Sequence, residues 1–264
     1  MAMEQANHFL EEARALYELI KSIGEDDYER VTLFKNWTIN DILVHLHFWN
    51  MSADLSLNQP DEFDKMMKHF FSAIQTGKLR LHENAIIKER GSELLELWFE
   101  LSQKLANDFS AVDPKQRLKW AGPSMSARTC ISARQMEVWA HALAVFDLIG
   151  TDRIESDRIK NVVVLGINAF GWTHQVHSLS TPENMPYVRL ISPSGEQWEF
   201  GEESASEIIE GHATDFAKVV TQTRNIADTN LVVSGKDANI WMQHAQCFAG
   251  PPEKPPVAGL RKKS

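Results

Sequence analysis

Residues 3–23 place Phe9, Leu10, Ala13, Leu16, Tyr17 and Ile20 at helical spacing, with Glu and Lys between them, which predicts an amphipathic first helix. The run Trp37-Thr38-Ile39-Asn40-Asp41 then supplies Thr38 as N-cap and Asp41 in the first turn of a second helix. That helix carries Ile42, Leu43, Leu46 and Trp49 and reaches to about Leu57. A third helix is expected over Asp61–Gln75, and a fourth from Ser92 to about Phe109 with Leu94, Leu95, Trp98, Leu101 and Leu105 on its apolar side. Pro114, Gly122 and Pro123 mark Val112–Ser126 as a loop. The last helix of this half starts near Ser126 or Ala127 and runs to about Ile149, where Gly150 suits a left-handed cap. Apolar faces this wide predict a bundle.

The charged stretch Thr151–Lys160 reads as a domain joint, followed by one more helix over 161–175. From Pro186 the period changes to two. Tyr187–Ile191 and Gln197–Phe200 alternate across the turn Ser192-Pro193-Ser194-Gly195, a hairpin pattern. Glu207–Gly211 and Leu231–Ser234 add short strands, with helices over His212–Thr223 and Asp237–Phe248. The expected fold class is therefore α+β: an up-and-down helical bundle over 1–150, a smaller α+β domain over 151–250, and a Pro-rich, basic tail over 251–264 that lacks periodicity and suggests a flexible segment.

Composition narrows the partners more than the fold. The chain has 264 residues, 43% apolar and 24% charged, as in ordinary globular proteins. A net charge of −9 repels phosphate backbones and anionic lipid, so nucleic acid and membrane are not expected partners. The N-terminal stretch lacks the basic and apolar regions of a signal peptide, and Cys130 and Cys247 are the only thiols, which together point to the cytoplasm. The apolar helix faces suit packing within one chain or across a homodimer.

Glu137 and His141 lie four residues apart, so they leave one face of the last bundle helix a turn apart. A carboxylate and an imidazole suit a divalent ion such as zinc, and a third donor would leave a coordination position open for chemistry. His45 is the third candidate, on the buried side of its own helix between Asp41 and Trp49. Spacing alone does not separate this from a hydrogen-bonded buried cluster, because Glu-x-x-x-His is common by chance. His174 and His177, three apart, read as surface or interdomain polar packing, and His47 as a bystander.

The run Trp37-Thr38-Ile39-Asn40-Asp41-Ile42-Leu43-Val44-His45-Leu46 resembles the W-(T/S)-x-x-D-(L/V)-x-x-H-L signature of the DinB-like, mycothiol-dependent maleylpyruvate isomerase N-terminal domain. Met136-Glu137-Val138-Trp139-Ala140-His141 resembles that family's E-x-x-x-H signature, and Trp198-Glu199-Phe200-Gly201, Gly211–Phe216, Thr223-Arg224 and Cys247–Gly250 resemble its C-terminal pattern. The resemblance implies a DinB-like bundle, a sterol-carrier-like second domain, and His45, Glu137 and His141 as ligands of one divalent metal, usually zinc. It also implies a low-molecular-weight thiol, mycothiol or an analogue, that adds as thiolate to a conjugated cis double bond, with rotation and elimination giving the trans product. The substrate would be a small unsaturated, carboxylated molecule. Arg224 is the cation that the resemblance offers for its carboxylate and developing enolate, and Arg128 is a second choice on the same electrostatic logic.

Two other readings stay open at this point: a metal-dependent hydrolase of a small amide or ester, and a non-catalytic, metal-stabilised binding protein. The second gains weight from Ala142-Leu143-Ala144, where many relatives carry Gly-x-Asp, so a group that orients a ligand is missing from its expected place.

Overall fold

The computed structural model describes residues 3–75 and 79–261, with the side chains of 69 and 71–75 outside that description. Met1–Gly150 and Thr151–Ser264 form two compact units. The first contains the helices α1 (Glu4–Ile20), α2 (Ile39–Asn58), α3 (Pro60–Gln75), α4 (Leu79–Ile86), α5 (Gly91–Ala111) and α6 (Ala127–Ile149). Helix α1 packs on α5 and α6, α2 packs on the same two, and α3 and α4 lie against α2.

Local chemistry fixes the ends of the two helices that matter most. Thr38 Oγ1 accepts the Asp41 N–H at 3.1 Å while Asp41 Oδ2 accepts the Thr38 N–H at 2.9 Å, a reciprocal cap that contributes about 1 kcal/mol. Helix α6 begins with Ser126 Oγ accepting from the Thr129 N–H and ends at Gly150, whose φ of +80° is left-handed backbone that glycine adopts freely. Unlike a surface helix, α6 is buried on most of its circumference, and its buried set includes Arg134, Gln135 and His141 beside Val138, Trp139 and Phe146. Polar groups in such a place need partners or a function.

Within the loop expected over Val112–Ser126, Arg117–Leu118 (β1) pairs antiparallel with Met125–Ser126 (β2). Helix α4 is an addition to the sequence reading, because nothing in the hydrophobic pattern pointed to an element between Gln75 and Ser92. Its apolar residues mislead: Leu81 is 68% exposed, while Glu83 is buried.

The second unit contains α7 (Lys160–Asn168) and α8 (Phe170–Val176) where one helix was expected over 161–175. The break falls at Ala169, whose φ of −86° and ψ of 5° leave the helical well. The strands β3 (Tyr187–Ile191), β4 (Gln197–Phe200), β5 (Ile208–His212) and β6 (Val232–Ser234) form one sheet in the order β4-β3-β5-β6, with helices α9 (Ala213–Val220) and α10 (Lys236–His244). The hairpin pairs Leu190 with Trp198, both buried, and β3 runs parallel to β5. Gly166 lets α7 approach α9, since a Cβ there would lie 2.8 Å from Val220 Cγ2. The described part of the C-terminal segment bonds to this unit: Gln222 Nε2 donates to Glu253 O, Asn225 Nδ2 to Pro256 O and Arg261 Nη1 to Gln222 O. Residues 262–264 of the expected tail lie outside the described residues. The fold class is α+β, a helical N-terminal region followed by a smaller α+β region. Among the described residues, no helix is long and apolar enough to cross a membrane.

Candidate metal centre

Packing of α2 on α6 brings His45 against Glu137 and His141 inside the bundle. Glu137 Oε2 lies 3.5 Å from His45 Nε2 and 3.2 Å from His141 Nε2. One ligand atom from each residue falls within 4.8 Å of the others, and the two imidazoles are only 9% and 8% exposed. Four-coordinate zinc with bonds of about 2.1 Å separates its ligand atoms by about 3.4 Å, a spacing that the two measured distances straddle. The donor set, two imidazoles and one carboxylate, fits a divalent ion of borderline softness.

A residue that the sequence gave no reason to single out stands behind this cluster. Glu83 of α4, 1% exposed, places Oε1 2.9 Å from His45 Nδ1. A carboxylate there accepts the Nδ1 proton and leaves Nε2 turned toward Glu137, the outer-shell arrangement that orients metal-binding histidines. The polar group missing after His141 is thus matched by one on the His45 side. His141 Nδ1 is buried with no hydrogen-bond partner among the described residues.

Electrostatics tie the three residues together. Burial opposes charge on His45, but Glu83 and Glu137 outweigh it and raise its pKa to about 9. Burial keeps His141 below its ordinary value despite its bond to Glu137. For Glu137, burial would raise the pKa, yet hydrogen bonds from His141 and His45 and the charge of Arg134 hold it well below the usual carboxylate range. Glu137 is therefore an anion and His141 neutral, the forms that a metal takes, while His45 carries at neutral pH a proton that metal binding would have to displace.

Two aromatic rings close the near side. Trp37 lies parallel to His141 with centroids 5.7 Å apart, and Phe34 meets the same imidazole edge-on at 4.9 Å. Lys35 and Asn36 between them both have left-handed backbone, φ +50° and +55°, so the chain reverses tightly and sets both rings on the cluster.

Of the two predicted cations, Arg128 belongs to the unit that carries this cluster and Arg224 to the other. Arg128 is exposed in the first turn of α6, nine residues before Glu137 and hence about two and a half turns away, on the opposite side of the helix. Arg224 belongs to the second unit, where it is buried at 8% exposure, with Nη1 donating to Thr223 O at 2.9 Å. Within the first unit, Arg134 stands beside Glu137, with Nη2 3.8 Å from Glu137 Oε1. Of the other histidines, His47 is half-buried on a different side of α2, and His174 is fully buried within the second unit, bonded to Phe170 O, rather than at a surface.

Cys130 does not offer a resident nucleophile of the usual kind. Burial pushes the Cys130 thiol up to about 12, so it stays protonated at pH 8 and unreactive. Iodoacetamide at pH 8 is expected to leave Cys130 unmodified in the folded protein and to label it once the chain is denatured, as read by intact-mass and peptide mass spectrometry. Labelling of Cys130 in the native state would contradict this burial.

A helical bundle with an inward His–Glu–His cluster, followed by an α+β unit, defines the class of protein. Residues 9–146 match the mycothiol maleylpyruvate isomerase N-terminal domain, and the chain belongs to that family. It is 31% identical over 234 residues to an uncharacterized protein of Mycobacterium tuberculosis found in two strains, covering 89% of this chain and 91% of the relative. Among solved structures, it resembles the mycothiol-dependent maleylpyruvate isomerase at 14% identity and a TM-score of 0.52, covering 84% of this chain and 88% of the other. A single-residue variant of that isomerase aligns at 15% identity and a TM-score of 0.53, covering 83% and 88%. These two likenesses establish the shared fold.

Proposed function

We propose that the protein is a metal- and thiol-dependent enzyme that isomerises, or transfers a thiol to, a small unsaturated carboxylated molecule. The observation that carries this reading is the convergence of His45, Glu137 and His141 within 4.8 Å in a chain of this family. A divalent ion such as zinc, bound there, supplies Lewis acidity that favours the thiolate form of a low-molecular-weight thiol at neutral pH.

The chain's own residues do the rest. His45 and His141 present Nε2 toward the same carboxylate oxygen, and Glu83 fixes the rotation of His45 from behind. Trp37 and Phe34 exclude water from the imidazole faces, which strengthens every charge interaction inside the cluster. Thiolate addition to the double bond places negative charge on the substrate, so a cation must hold its carboxylate while the bond rotates.

Maleylpyruvate supplied with mycothiol is expected to give its trans isomer, followed by NMR, with no conversion when the thiol is omitted. Equal conversion without any thiol would favour attack by activated water and remove the thiol from the account.

A further inference from the structure

Arg134 is 3% exposed, yet its Nε and Nη1 have no hydrogen-bond partner among the described residues. Its nearest acid, Glu137, is 3.8 Å away, beyond hydrogen-bond range, and that carboxylate already serves two imidazoles. The faces of Trp49 and Trp120, with centroids 5.8 and 5.6 Å from the guanidinium carbon, stabilise the charge but accept none of its N–H groups. Beyond its long ion pair with Glu137, the buried guanidinium therefore has donors open to a further acceptor.

Trp120 touches Arg134 and also lines a cleft of about 460 Å³ together with Phe63 and Met67. Lys68 and Lys119 stand at that cleft, with Lys119 paired to Asp64 at 2.5 Å. An apolar wall with an excess of positive charge suits a small organic anion, and Trp120 is the partition between the cleft and the guanidinium.

We propose that Arg134 is the carboxylate-binding group of the bundle site, and that a small unsaturated acid reaches it from the cleft past Trp120. Guanidinium edges match carboxylates bidentately, and Arg134 precedes Glu137 by one turn, so the bound acid would sit beside the His–Glu–His cluster. The unsaturated class of acid rests on the function proposed above; the anion site rests on Arg134 itself.

Calorimetric titration of maleate into metal-loaded and chelator-stripped protein tests it. Saturable binding by the wild type is expected, with no binding of the neutral dimethyl ester. Arg134→Gln is expected to weaken maleate at least about tenfold with metal content unchanged. Arg134→Lys keeps the charge where the Gln variant does not fold, and is expected to lose affinity too, because an ammonium has no planar fork. Trp120→Ala is expected to speed association in stopped-flow measurements, and an unchanged rate would overturn the route past Trp120. No wild-type binding, equal affinity in the Arg134 variants, or metal loss in Arg134→Gln would overturn the carboxylate site; the last would make Arg134 a structural partner of Glu137. Maleate binding by stripped protein that takes up no metal supports the anion site while the metal reading fails, and metal loading without maleate binding overturns the anion site alone.

Discussion

Glu83→Ala is expected to lower the affinity for zinc about 10–100-fold without dismantling the bundle. The carboxylate reaches His45 Nδ1 at 2.9 Å from a helix of its own, so its removal frees the imidazole to rotate and leaves a buried N–H unpaired. Glu83→Gln keeps an oxygen acceptor at the same length and is expected to lose less. Competition with a chromophoric chelator reads both affinities, and circular dichroism verifies the helix content. Wild-type affinity in Glu83→Ala would mean that the contact does not position the ligand.

Phe48→Ala is expected to carry the largest loss of stability among the site's supports, about 3–5 kcal/mol. Phe48 is fully buried one turn beyond His45 on α2, stacked on Phe70 of α3 at 5.9 Å and edge-on to His82 of α4 at 6.0 Å. Truncation empties the space between α2 and the two helices laid on it, one of which carries Glu83. Urea unfolding is expected to show the full loss, with Tm lower by roughly 6–20 °C. Zinc affinity is expected to fall as well, since α4 loses part of its seat. A variant as stable as wild type would mean that α3 and α4 repack without cost.

The elements that stated themselves in the sequence are those with strong local chemistry. Thr38 and Asp41 cap α2 reciprocally, Gly150 ends α6 in left-handed backbone, and the alternation around Ser192–Gly195 gives the hairpin β3–β4. Helix α4 escaped notice because its burial runs against its polarity, with Leu81 outside and Glu83 inside. The parallel pairing of β3 with β5 is a long-range choice that no period of two discloses. The break at Ala169 likewise has no Pro or Gly at that residue to announce it.

The site divides along the same line. Glu137 and His141 share a helix face by spacing alone, and motif resemblance supplied His45 from 92 residues earlier in the chain. Glu83 and Arg134 carry no motif; they become visible only when α4 and α6 close on α2 and their burial is seen. Arg128 looked suitable in one dimension, but its phase on α6 turns it to solvent. A cation's distance along the chain from a metal ligand says little until the helix phase is added.

Elemental analysis of the purified protein and of His45→Ala and Glu137→Ala addresses the cluster most directly. About one divalent ion per wild-type chain, zinc or one of similar chemistry, is expected, with loss of that ion in both variants. A protein that cannot be loaded with a divalent ion, or variants that retain the wild-type content, would contradict the metal centre and leave His45, Glu137 and His141 as a hydrogen-bonded buried cluster.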